Sequence, residues 1–170
     1  ARPQRVDSLP QEQQARNIML VLDLSRSMEA DDFKAARQYV QRIQAVKAVV
    51  REFIQARRKD RLGLAIFGST AFLQGPLTFD FNLIQSLVDQ LELRIAGDAT
   101  AMGDGIGVAL KALQDLPPET SAIILLTDGV SNAGQVNPLK AAQVSADLGI
   151  RIHTIGIGSE QPLIRPNTSF

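Results

Sequence analysis

The sequence predicts an α/β protein: a three-layer sandwich with a central, mostly parallel sheet, an antiparallel edge strand and helices on both faces. Three observations carry this. Apolar runs alternate with amphipathic segments from residue 17 to 158, as strands joined by crossover helices do. Most runs are continuous rather than alternating in polarity, which marks strands covered on both sides. One run, "TAFLQGPLT" at 70–78, contains Pro76, and a residue without an N–H belongs at a sheet edge.

In order along the chain, "NIMLVL" (17–22) is the first strand, bounded by polar residues. Val40, Ile43, Val46, Val50, Phe53 and Ile54 then recur at helical spacing, with Arg42, Lys47 and Arg51 on other faces. "RLGLAIF" (61–67) is a second buried strand, followed by the proline-bearing edge strand. Leu83, Ile84, Leu87, Val88 and Leu91 form the next helical stripe. Ile106, Ala109, Leu110 and Leu113 form another, stopped by Pro117 and Pro118. "SAIILL" (121–126) is the third buried strand. In "NPLKAAQVSADLG", Asn137 caps a helix, Pro138 takes its first position and Gly149 lies just past its end. "GIRIHTIGIG" (149–158) is the last strand. An open sheet of this Rossmann-like kind gathers ligands beyond the carboxyl ends of its strands. Residues 1–16 and 159–170 read as a linker and a tail around a domain at 17–158.

Composition narrows the chemistry. The 170 residues suffice for one domain, and eighteen basic residues balance eighteen acidic ones, so nothing predicts an electrostatic grip on nucleic acid. The chain has no cysteine and one histidine, His153. That excludes thiolate chemistry, disulfides and multi-histidine metal centres. A metal site here must be built from oxygen. The longest apolar runs are too short to span a bilayer.

Oxygen is concentrated in one place. "LDLSRSM" (22–28) sets Asp23 at the end of the first strand, with Ser25 and Ser27 at alternate positions after it, where side chains face the same way. A second acid, Asp128, ends the run "IILLTD", and Thr100 lies in "AGDATAMGD" before a helix. Two carboxylates with neutral hydroxyls suit a small hard dication such as Mg²⁺, which keeps some of its waters. At the strand end Asp23 is expected to face solvent, outside the apolar core.

"DLSRSM", then "TAMGD", then "LLTDG" resembles a von Willebrand factor A domain with a metal-ion-dependent adhesion site. The resemblance implies that Asp23, Ser25, Ser27, Thr100 and Asp128 hold Mg²⁺, or alternatively Mn²⁺ or Ca²⁺. The hydroxyls would ligate directly and Asp128 through water, and a partner carboxylate would complete the shell. "DRLGLAIFGSTAFLQGPLTFD", "ATAMGDGIGVAL" and "LGIRIHTIGIGS" narrow the likeness to the Bat (aerotolerance-associated) proteins of bacteria. That implies a domain tethered to the inner membrane through segments outside this chain, preceded by a membrane helix and facing the periplasm. It also implies other Bat proteins as partners and a link to MoxR-type AAA+ ATPases. The chain departs from the family at Ala99, where Gly or Lys often precedes the Thr.

Other motifs carry less. Asp104 reads as a brace for a helix, and Asp31 and Asp32 as a solvated helix start. The glycines of "GDGIGVAL" do not fit a dinucleotide loop. His153 reads as a strand residue, and the basic "ARRKDR" (56–61) as a helix end favoured by the dipole. The rival function is a Mg²⁺-dependent hydrolase of the aspartate-nucleophile phosphatase type, with Asp23 attacking. Such chemistry needs a carboxylic acid two residues on, where this chain has Ser25. The expectation is therefore a binding module and not an enzyme.

Overall fold

The computed structural model describes residues 14–158; residues 1–13 of the expected linker at 1–16, and the expected tail at 159–170, lie outside them. The chain runs β1 (Asn17–Asp23), a 3₁₀ turn (Arg26–Glu29), β2 (Phe33–Ala35), β3 (Gln38–Val40), α1 (Arg42–Ala56), β4 (Arg61–Phe67) and β5 (Ala71–Thr78). It continues with α2 (Phe81–Asp89), α3 (Met102–Leu113), a second 3₁₀ turn (Pro118–Thr120), β6 (Ser121–Thr127), α4 (Pro138–Asp147) and β7 (Arg151–Gly156). The main sheet has the order β5-β4-β1-β6-β7. β4, β1, β6 and β7 are parallel, and the proline-bearing β5 is an antiparallel edge strand.

β1 is the centre of the sheet, and all seven of its residues are buried. Alternate residues feed opposite layers, as the period of two requires. Ile18, Leu20 and Leu22 pack with Ile43, Val46, Val50 and Ile54 of α1 and with Ile84 and Val88 of α2. Met19 and Val21 pack with Ile106, Ala109, Leu110 and Leu113 of α3 and with Ala141 of α4. Each of the larger side chains, the alanines aside, contributes roughly 1.5–3 kcal/mol when fully buried. The unbroken apolarity of β1 is thus the sum of two half-patterns, one for each layer.

Caps set the helix positions. The Asp80 carboxylate accepts from the Leu83 amide (3.0 Å) at the start of α2, and Asn137 Oδ1 accepts from the Leu139 amide (2.8 Å) at the start of α4. Gly149 ends α4 at φ +75°, a conformation costly for any residue with a Cβ.

The structure corrects two expectations between β1 and α1. Val40 is not helical: it closes a small antiparallel hairpin, β2–β3, in which Phe33 pairs with Val40 and Ala35 with Gln38. α1 therefore begins at Arg42. Asp31 and Asp32 precede that hairpin rather than a helix. Asp32 is bound by Arg42 instead of being merely solvated, with contacts of 2.8 and 2.6 Å. Three-residue strands are too short to carry an alternation that outweighs a helical stripe.

Candidate metal centre

The register of β1 against β6 pairs Leu22 with Leu126, so Asp23 and Thr127 emerge side by side at the carboxyl end of the sheet. Asp23 Oδ2 accepts from the Thr127 hydroxyl at 2.8 Å, and Oδ1 accepts from the Ser25 amide at 2.9 Å. Both bonds fix the carboxylate rather than merely shield it. Asp23 is fully buried, which corrects its expected exposure to solvent: the loop after β1 folds back over the strand end. The Leu24 amide donates to the Phe67 carbonyl (2.8 Å) and the Arg26 amide to the Asp98 carbonyl (3.1 Å). That path brings the Ser25 and Ser27 hydroxyls to 3.1 Å from each other.

Thr100 is positioned by its backbone. Its amide donates to Asn132 Oδ1 (2.8 Å), while its carbonyl accepts from the Asn132 and Ala133 amides (3.0 and 3.2 Å) and the Ser131 hydroxyl (3.0 Å). The residue is only 4% exposed, and its hydroxyl makes no hydrogen bond among the described residues. This loop–loop seam is tight because the second residue of α3 is a glycine: a Cβ at Gly103 would collide with the Val136 carbonyl oxygen. Asp104, one residue on, accepts from the Gln135 and Val136 amides at 2.8–3.2 Å. It thus braces the approach to α4.

Asp128 follows β6 directly. Its Oδ2 accepts from Arg42 Nη1 at 3.1 Å, and its side chain is 8% exposed. Ser27, Thr100 and Asp128 line one cleft of about 620 Å³ together with Arg26, Arg42, Asp98, Val130 and Asn132. The fold therefore gathers all five expected residues at one end of the sheet, with Asp23 and Ser25 buried beneath the cleft.

Among the described residues no three acidic or histidine side chains cluster, so the candidate donor set is two carboxylates and three hydroxyls. Burial pushes the Asp23 carboxyl above the usual carboxylate range. Hydrogen bonds from Ser25 and Thr127 oppose the shift, and the charge of nearby Asp128 adds to it. A buried carboxylate of this kind is relieved by a cation. The uncommitted Thr100 hydroxyl and the all-oxygen donors fit a hard dication. Thr127, Asn132 and Arg42 were not singled out as site residues in the sequence. The adjacency of Thr127 to Asp128 was the available signal for the first; nothing local marked the other two.

This fold, with its oxygen cluster at the carboxyl end of the central strand, defines a class, and the chain belongs to it: residues 17–163 match the von Willebrand factor type A domain family. More particularly, it is similar to the crystal structure of an aerotolerance-related membrane protein from Bacteroides fragilis. That likeness has 27% identity and a TM-score of 0.73, and covers 85% of this chain and 68% of that one. BatB from Bacteroides thetaiotaomicron is similar at 26% identity and a TM-score of 0.69, over 84% and 66% of the two chains. A membrane-spanning protein from Vibrio fischeri shares 45% identity at a TM-score of 0.58, over 84% and 70%. A protein of Borreliella burgdorferi is 32% identical over 145 residues, which is 85% of this chain and 41% of that protein. The chain spans about half the length, or less, of the curated relatives it matches. No helix among the described residues is long and apolar enough to cross a membrane.

Proposed function

We propose that this chain is the metal-dependent protein-interaction domain of a membrane-tethered Bat-type protein, and that Asp23, Ser25, Ser27, Thr100 and Asp128 hold a divalent cation, Mg²⁺ first. The observation that carries this reading is the buried Asp23 carboxylate, fixed by two donors beneath a cleft lined by Ser27, Thr100 and Asp128. Asp23 supplies the charge, held in place by Thr127. Ser25 and Ser27 supply neighbouring hydroxyls, and Thr100 a hydroxyl free to turn toward the cleft. Bound there, the dication would offer a Lewis-acid position to a carboxylate of the partner, since the hydroxyl ligands leave its charge under-neutralised. Truncating a buried charged partner costs about 2–5 kcal/mol, enough to make such a contact decisive.

The relatives described as membrane proteins support association with a membrane; the bacterial inner membrane, reached through segments outside this chain, with the domain in the periplasm, is the placement we propose. Other Bat proteins are the proposed direct partners and a MoxR-type AAA+ ATPase the functional one. Hydrolysis is the weaker reading: both Asp23 oxygens already accept hydrogen bonds, and Ser25 cannot replace a general acid. The test is calorimetric titration of Mg²⁺ into wild type and Asp23→Asn, followed by capture of a purified Bat partner with chelator and after Mg²⁺ repletion. Binding of Mg²⁺ by wild type alone, with capture lost in chelator and restored by Mg²⁺, is expected. Equal Mg²⁺ affinity in both proteins, or capture indifferent to chelator, would sink the proposal.

A further inference from the structure

Arg42 opens α1, and its side chain is spent on two acids. Nε and Nη2 donate to the two oxygens of Asp32 at 2.8 and 2.6 Å, while Nη1 donates to Asp128 Oδ2 at 3.1 Å. The Arg42 side chain is only 16% exposed and lines the same cleft as Ser27, Thr100 and Asp128. Its backbone amide donates to the Ala30 carbonyl at 3.0 Å, which ties the start of the helix to the loop carrying the two serines.

We infer that Arg42 is the resident counter-charge of Asp128 and sets how tightly the cleft takes a divalent cation. This rests on the metal-site reading proposed above. A guanidinium does not lose its proton in proteins, so its charge is permanent. The fork to Asp32 is bidentate and charge-assisted, and the side chain cannot swing away without breaking both bonds. A dication that engages Asp128 must displace Nη1 from Oδ2 or share the carboxylate with a fixed positive group in a partly desolvated place, where like charges repel more than in water. The oxygen set alone would therefore bind metal more tightly than the intact cleft does. Arg42 makes the site responsive to metal concentration instead of permanently loaded.

The test is calorimetric titration of Mg²⁺ into wild type, Arg42→Gln, Arg42→Lys and Asp23→Asn, with folding checked by thermal denaturation in chelator. Arg42→Gln removes the charge and is expected to bind Mg²⁺ about five- to tenfold more tightly; tenfold corresponds to about 1.4 kcal/mol. Arg42→Lys keeps the charge and should stay within about twofold of wild type, an ordering that lost packing would not produce. In wild type, the ¹⁵N-resolved Arg42 Nε–Hε resonance should shift as Mg²⁺ saturates. Should Arg42→Gln fail to fold, that resonance decides, and its staying unmoved through saturation overturns the inference. If wild type binds Mg²⁺, Asp23→Asn does not, and folded Arg42→Gln binds no more tightly than wild type, the role of Arg42 falls while the metal site stands. If neither wild type nor Arg42→Gln binds Mg²⁺, both fall together.

Discussion

At Asp23 the fold has buried a carboxylate whose hydrogen-bond partners among the described residues are Ser25 and Thr127, neither of them basic. Its folded-state pKa lies above the ordinary 3.8, raised first by burial. The folded protein therefore holds this proton more tightly than the unfolded chain does. The resulting stabilisation is complete below 3.8 and is lost as the pH rises through the folded value. In chelator, wild type should accordingly lose stability relative to Asp23→Asn as the pH rises from 3.8 to 7. Asparagine is the informative replacement because it retains an oxygen and a partner for Thr127; alanine would leave two donors unpaired, at about 1–3 kcal/mol each. Adding Mg²⁺ at pH 7 should stabilise wild type and leave the asparagine variant unmoved. Thermal denaturation of both proteins across that pH range, with and without metal, reads both effects, and a difference between wild type and Asp23→Asn that stays constant with pH in chelator would contradict the first.

Between elements, the seam where α3 meets the loop before α4 carries the most consequence. Gly103→Ala places a methyl group against the Val136 carbonyl oxygen, and the backbone there must shift. We expect a loss of about 1–3 kcal/mol in denaturant unfolding. A several-fold weakening of Mg²⁺ binding should accompany it, since the same loop pins Thr100 through Asn132. Unchanged metal affinity in the destabilised variant would separate the seam from the site. This seam also shows what a sequence conveys and what it does not. β1, β4 and β6 were legible because burial on both faces demands unbroken apolar runs, and α4 because Asn137, Pro138 and Gly149 punctuate it. The candidate site acids Asp23 and Asp128 were legible at the ends of such runs. The hairpin β2–β3 was not: its strands have three residues each, its turn puts Ala36 at φ +54°, and Val40 falls by coincidence on the helical period of α1. With the hairpin hidden, so was the triad Asp32–Arg42–Asp128, whose members are ten and eighty-six residues apart along the chain.

Over the whole molecule, the site is joined to the stability of both layers because its anchor is the last residue of the central strand, which feeds both layers. Leu20 and Leu22 of β1 serve the α1–α2 face, Met19 and Val21 the α3–α4 face, and Asp23 ends the same strand. The other proposed ligands come from loops that leave the ends of α2, β1 and β6, so unfolding of either layer scatters them. A dication that binds only this assembled set stabilises the entire domain by mass action, about 2.7 kcal/mol when free metal is a hundred times its dissociation constant. For a domain of this size that corresponds to a rise of roughly 5–10 °C in Tm. We expect this shift with Mg²⁺ in wild type and its loss in Asp23→Asn. Hydrogen exchange should also slow globally, in β1 and β6 as well as in the loops bearing Ser27 and Thr100. Protection confined to the loops, with Tm unchanged at saturating metal, would mean that the cation closes the rim without engaging the strand, and the role assigned to Asp23 would then be wrong.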